Sequence, residues 1–159
     1  MADMVTIREE DLIESVADAL QYISYYHPMD YIRALGEAYE AEQGPAAKDA
    51  IAQILTNSRM CAEGHRPLCQ DTGIVNVFIE WGQDCRLESK RSLQDVVDEG
   101  VRRAYNHPEN KLRASVLADP AFTRRNTRDN TPCVLSVSMV PGARISVDVA
   151  AKGGGSENK

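Results

Sequence analysis

A short alternating stretch running into three glycines constrains this chain more than any other feature. Arg144-Ile-Ser-Val-Asp-Val-Ala150 places Ile145, Val147 and Val149 on one face at period 2, the pattern of a half-buried strand. Gly153, Gly154 and Gly155 then remove every Cβ, so backbone N–H groups can approach an anion closely or adopt positive φ. Ser156 is a good helix N-cap. Strand, glycine turn and cap normally lead into a helix whose N-terminus holds an anionic group. Only Glu157, Asn158 and Lys159 follow, fewer than one turn, so the helix itself is not in the sequence. On composition alone the same residues read as a flexible glycine–serine tail.

At 159 residues the expectation is one domain, 1–159, able to bury roughly 70% of its unfolded surface. The hydrophobic fraction of 43% and charged fraction of 26% are ordinary for a soluble globular protein. A net charge of −6 argues against nucleic acid as a partner. No apolar run reaches the roughly 18 residues needed to span a bilayer, and the N-terminus carries no secretory signal. Cys61, Cys69, Cys85 and Cys133 lack the paired C-x₂-C spacing of zinc sites. Without an export signal they read as thiols or metal ligands rather than disulfides, and the cytoplasm follows as the compartment.

The chain divides into a helical front and a mixed back. Thr6 and Glu9 have capping-box spacing before a stripe of Leu12, Ile13, Val16, Leu20 and Ile23. A second helix is read through Tyr31, Ile32, Leu35 and Tyr39. Pro45 is placed to start a third, carrying Ile51, Ile54 and Leu55. Val75, Val77, Ile79 and Trp81 then alternate with Ile74, Asn76, Phe78 and Glu80, which predicts a central strand covered on both faces. Ser92 and Asp95 mark a fourth helix through Val96, Val97 and Val101. Cys133–Val140 and Arg144–Ala150 flank Pro141-Gly142, so a hairpin is expected. The fold class is α+β: amino-terminal helices followed by a mixed, mainly antiparallel sheet with flanking helices. The amino-terminal helices should bury their stripes, and the 133–150 hairpin should carry an exposed edge.

Chemistry concentrates in Arg66-Pro-Leu-Cys-Gln-Asp-Thr-Gly73, which Pro67 and Gly73 mark as a structured loop entering the sheet. Cys69, Gln70, Asp71 and Thr72 supply a thiol, an amide, a carboxylate and a hydroxyl in succession. On spacing alone, Cys69 reads as a small buried hydrophobe beside a turn aspartate.

Taken together, Asn57-Ser-Arg-Met-Cys-Ala-Glu-Gly-His-Arg-Pro-Leu-Cys-Gln-Asp-Thr-Gly73 and Ala151-Lys-Gly-Gly-Gly-Ser-Glu-Asn-Lys159 resemble the amino-terminal (alpha) region of the class I, iron–sulfur-dependent fumarate hydratases. Leu112-Arg-Ala-Ser-Val-Leu-Ala-Asp-Pro120 and Asn126-Thr-Arg-Asp-Asn-Thr-Pro132 carry the same likeness. L-tartrate dehydratases share the architecture. The resemblance implies a hydro-lyase of the tricarboxylic acid cycle that adds water reversibly to fumarate, giving S-malate, on a 4Fe–4S cluster held by three cysteines. It assigns Cys69 as the first cluster ligand and Asp71 as the residue that transfers a proton or orients the base. Gln70 and Arg113 become substrate contacts, Arg113 through a bidentate grip on a carboxylate. Gly153, Gly154 and Gly155 become the loop whose N–H groups face a carboxylate. The other two cluster cysteines would lie beyond Lys159, so the expectation is a fragment, inactive alone. Its partners would be a small dicarboxylate and a missing downstream region or subunit, in a homo-oligomer when complete. A non-catalytic assembly module and a degenerate product are the alternatives.

Other residues have plainer readings. Cys61 is expected to pack a helix, His65 to sit at the surface beside Arg66, and His27 and His107 to occupy turns before prolines. Arg124, Arg125 and Arg128 read as a solvated loop, and Trp81 as a packing residue at the end of the sheet.

Overall fold

The computed structural model describes residues 4–69 and 72–154. Among them the elements run β1 (Val5–Arg8), α1 (Glu9–Tyr25), α2 (Met29–Ala41), α3 (Pro45–Gly64), β2 (Ile74–Gly82), β3 (Cys85–Glu88), α4 (Leu93–Tyr105), β4 (Val134–Val140) and β5 (Ile145–Lys152). The fold is α+β with both parallel and antiparallel ladders. The chain forms two compact units, one of Met1–Gln21 with Asp71–Lys159 and one of Tyr22–Gln70, and the division falls inside α1.

In the first unit the apolar stripe of α1, Leu12, Ile13, Val16 and Leu20, is buried with Val96, Val97, Val101 and Ala104 of α4. Both helices share a core with Val75, Val77, Ile79 and Trp81, the inward residues of β2. Helix α4 begins as its sequence predicts: the Ser92 hydroxyl accepts from the Asp95 N–H at 3.1 Å and the Asp95 carboxylate accepts from the Ser92 N–H at 3.2 Å. Trp81 is buried at the strand's end, with its indole N–H donated to the Cys85 carbonyl at 3.1 Å, as its packing role requires.

Several expectations are corrected by the structure. Thr6 does not cap α1, because it lies in β1, which pairs in parallel with β3 through Thr6↔Arg86. Its backbone is committed to the ladder and α1 starts only at Glu9, so Thr6 does not stand at the N-cap position. Strand β2 is central but covered on one face only: α1 and α4 cover the valine face, while Phe78 on the other remains 51% exposed. The hairpin is also absent. Strands β4 and β5 lie on either side of β2, in the order β4-β2-β5, with β4 parallel and β5 antiparallel to it. Two of the three ladders are therefore parallel, against the antiparallel balance expected.

Contacts between distant parts of the chain hold the displaced connection in place. The turn after β2 docks into the β4–β5 connection through Gly82 N–H to Arg144 O, Gln83 N–H to Val140 O and Asp84 N–H to Gly142 O, at 2.9, 2.9 and 3.0 Å. A Cβ on Gly82 would stand 2.4 Å from the Gly142 carbonyl oxygen, so only glycine lets the connection cross over the end of β2. β4 is left at the sheet's edge, with Met139 61% exposed.

The second unit is made by α2, α3 and the last turn of α1. Pro45 opens α3 as expected, and His65 ends it in the left-handed conformation, φ 45°. The stripes of α2 and α3 are half-buried rather than buried: α2 has no buried residue, and α3 buries only Ser58 and Cys61. Two helices packed mainly on each other lack the enclosing layers that make a core.

Candidate functional site

The Cys69 loop belongs to the second unit. Its backbone is tied at Leu68, whose N–H donates to the Ser24 carbonyl at 2.8 Å and whose carbonyl accepts from the Asn57 side chain at 3.3 Å. The Cys61 thiol donates to the Pro67 carbonyl at 3.6 Å, and the Arg66 N–H to the Cys61 carbonyl at 3.0 Å. His65 stacks on Tyr25, with ring centroids 4.8 Å apart, and its Nε2 lies 3.3 Å from the Tyr26 hydroxyl. Cys69 stands exposed at the end of this braced turn, so it is not a buried packing thiol. Gln70 and Asp71, expected as substrate contact and proton carrier, lie outside the described residues.

The remaining cysteines are buried. Cys61 packs α3 against its own loop, Cys85 and Cys133 join the first unit's core, and burial together with nearby Asp98 pushes the Cys133 thiol up to about 12. Among the described residues no three His, Cys, Asp or Glu side chains converge as metal ligands. One accessible thiol fits one ligand position, so a complete three-cysteine cluster site does not fit this donor set.

In the first unit, the structure assembles three of the expected segments into one seam at the head of β2. Thr72 is buried, its hydroxyl donates to the Arg113 carbonyl, and its own carbonyl accepts the Tyr105 hydroxyl at 2.7 Å. Gly73, at φ 72°, lies against the start of the glycine loop. A Cβ there would stand 2.5 Å from the carbonyl carbon and oxygen of Lys152 and 2.9 Å from Gly153 N. No side chain fits that gap, so the start of the loop after β5 and the entrance of β2 meet backbone to backbone. Gly153 is buried in this seam and Gly154 is exposed; Gly155 lies outside the described residues.

Arg113 leads the irregular segment that continues through Ser115 and Val116. It is folded onto 125–130 by Ala118 N–H to Arg125 O, by Thr127 N–H to Val116 O, and by the Asn126 side chain donating to the Ala114 carbonyl at 2.7 Å. The Asn126 carboxamide oxygen accepts the Arg128 N–H at 2.7 Å, with Arg128 at φ 69°. Lys111, Arg113 and Arg128 thereby line an open hollow of about 450 Å³ with Leu112, Ala114 and Asn126. Among the described residues that line it, three are cations, which gives the hollow positive potential on a chain of net charge −6. Arg124 and Arg125, read as solvated, are exposed. Arg128 is exposed as well, and it also lines the open hollow.

Asn130, which sequence reasoning does not single out, is 0% exposed. Its φ is 62°, a conformation asparagine tolerates better than other non-glycine residues. Its Oδ1 accepts from Ser115 N–H at 2.8 Å and Val116 N–H at 3.2 Å, while Nδ2 donates to the Gly73 carbonyl at 2.9 Å. The sequence offers only a second asparagine in Asn126-Thr-Arg-Asp-Asn130, and its meaning depends on partners far away along the chain.

A family model described as fumarate hydratase (Fumerase) matches residues 13–159. The chain is 27% identical over 144 residues to the L(+)-tartrate dehydratase subunit alpha of Escherichia coli strain UTI89, covering 91% of this chain and 47% of that one. It is 28% identical over 142 residues to fumarate hydratase 2 of Leishmania major, covering 89% of this chain and 24% of that one. Over 121 residues it is 29% identical to the anaerobic class I fumarate hydratase of Escherichia coli K12, covering 76% and 22%. The chain thus spans about half the length of the tartrate dehydratase subunit and about a quarter of the fumarate hydratases. Among the described residues no helix is long and apolar enough to cross a membrane. The chain belongs to the fumarate hydratase family.

Proposed function

We propose, with that membership as premise, that this chain supplies the carboxylate cradle and one cluster thiolate of a hydro-lyase that adds water reversibly to fumarate, giving S-malate. The observation that carries the reading is the seam in which Gly73 brings the Gly153 backbone against β2, beside the segment bearing Arg113. Hydration of a diacid places hydroxide on one alkene carbon and a proton on its neighbour. Removing that proton again builds negative charge onto the adjacent carboxylate, so the site needs positive potential fixed in advance. Arg113 contributes a charged fork, Gly153 and its neighbours contribute N–H groups, and Lys111 and Arg128 raise the potential of the hollow. Asp71 moves the proton and Gln70 orients the substrate. Cys69 is one of the thiolates of a 4Fe–4S cluster whose other ligands come from a further segment or subunit, in a homo-oligomeric cytoplasmic enzyme. The chain 1–159 is then the front part of the alpha region.

L-tartrate as substrate is the second reading. It is supported by the tartrate dehydratase alpha subunit being as similar to this chain, at 27% over 144 residues, as fumarate hydratase 2 is at 28% over 142.

Anaerobic reconstitution with iron and sulfide tests the proposal, run on the chain alone and with a polypeptide matching the rest of its relatives. Cluster absorbance and hydration should appear only in the second mixture and vanish with Cys69→Ser. Comparing fumarate with L-tartrate there chooses the substrate. A stable cluster and full turnover from the chain alone would refute the reading.

A further inference from the structure

We infer that Asn130 is a positioning residue for the carboxylate cradle, fixing the Arg113 segment to the Gly73–Gly153 seam so that both face the same dicarboxylate. This deepens the proposed function and rests on it. The Asn130 carboxamide uses both acceptor sites of its oxygen on the Ser115 and Val116 N–H groups, and a donor on the Gly73 carbonyl. That pattern also fixes which side-chain atom is oxygen, because the oxygen must face the two N–H donors. The Gly73 carbonyl accepts a second bond from the Ser115 hydroxyl at 3.1 Å, so two side chains converge on one peptide group. The Thr72 hydroxyl meanwhile holds the Arg113 carbonyl. The peptides carrying Arg113 and Gly73 are therefore locked to each other through a group with no exposed surface.

Burial decides why the residue is asparagine. Removing the side chain would take the acceptor from the Ser115 and Val116 N–H groups and one of two donors from the Gly73 carbonyl. An aspartate in its place would keep the two acceptors but turn a carboxylate oxygen towards the Gly73 carbonyl, while β-branched residues cannot take φ 62° without strain. Glycine accepts that φ freely, so Asn130→Gly removes the clamp without straining the backbone.

The test is an NMR titration of the ¹⁵N-labelled chain with S-malate, following the amides of Gly73, Arg113 and Gly153, with each protein held well below its unfolding midpoint. Wild type should bind weakly, and Asn130→Gly about tenfold more weakly, the scale of losing one net hydrogen bond's worth of preorganisation. Asn130→Asp should fall between them and carries the test should the glycine variant not fold. Val97→Ala, a core truncation outside the cradle, should lower the midpoint yet leave affinity within about twofold, since stability and site geometry are separate losses. The inference is overturned if the Asn130 variants bind like wild type, or if Val97→Ala weakens binding as much as they do. Failure of the wild type to bind S-malate would instead sink the cradle itself, and this inference with it.

Discussion

Adding one methyl group at Gly73 measures how tightly the seam is closed. In Gly73→Ala the new Cβ meets Lys152 C and O at 2.5 Å and Gly153 N at 2.9 Å, all backbone atoms, so no side chain can swing away. Holding alanine at φ 72° costs about 1–2 kcal/mol. Prying apart two backbones to admit the methyl adds about 1–3 kcal/mol, the usual range for overpacking. The sum, about 2–5 kcal/mol, is a large share of a typical domain's stability. For a chain of this size it corresponds to a fall in Tm of roughly 4–20 °C. Gly142→Ala is the internal control. Gly142 sits at φ 102° with no atom within 4 Å of the added Cβ, so it bears the conformational cost without the collision. Thermal unfolding by circular dichroism should therefore show Gly73→Ala as clearly the more damaging, with the Gly153 and Lys152 amide shifts displaced in that variant alone. Equal losses in Tm for the two would mean that the seam yields easily, and the account of how β2 and β5 set the glycine loop would be wrong.

Thiol labelling gives a second check: in the native chain Cys69 should react first with iodoacetamide at about pH 8. Cys133, with its thiol raised to about 12, holds a thiolate fraction of only about 1 in 10⁴ there, so early labelling of Cys133 would contradict its placement. Acid should erode stability in two stages. Burial holds His27, whose Nδ1 lies 3.0 Å from the Ser58 hydroxyl, below its ordinary value, so the unfolded chain takes up a proton there first. That contribution is intact above about pH 6.5 and is lost as the pH falls below it. Carboxylates held low come next: Asp95 by the Ser92 hydroxyl and N–H, Glu10 by Arg103, and Glu9 by Ser89 and Arg91. Their contributions are present at neutral pH and disappear as the pH drops through about 4. A Tm profile that stays flat between about pH 7 and 5, or one that His27→Gln leaves unchanged, would contradict the first stage.

What can be read from the residues divides by the distance over which the determining contact acts. The Ser92–Asp95 box, Pro45 at the start of α3 and the period-2 inner face of β2 are set within a few neighbours, and the fold keeps all three. Strands β1 and β3, four residues each, carry too little periodicity to be seen alone, and Thr6 reads as a cap because its strand partner stands far away at Arg86. Pro141-Gly142 signals a turn correctly, yet nothing local says that β2 will occupy the space between the strands it joins. The candidate site follows the same rule. Arg113 and Gly153 are singled out by their motifs alone, and the segments that carry them are brought together by Thr72 and Gly73. Asn130 is not legible, since its importance comes from a backbone angle and from partners at Gly73, Ser115 and Val116.

The placement of β2 between β4 and β5 also dictates the order in which this molecule can be built. β2 emerges early, but both of its neighbours are synthesised only after α4 and the long irregular stretch that carries Asn130. The sheet therefore cannot zip up strand by strand from a local turn. It must wait for distant chain to return, and that loop-closure entropy slows folding. During that wait Ile74, Phe78 and the inward valines have no strand beside them, which makes the nascent chain up to the end of β4 the stage most in need of a chaperone.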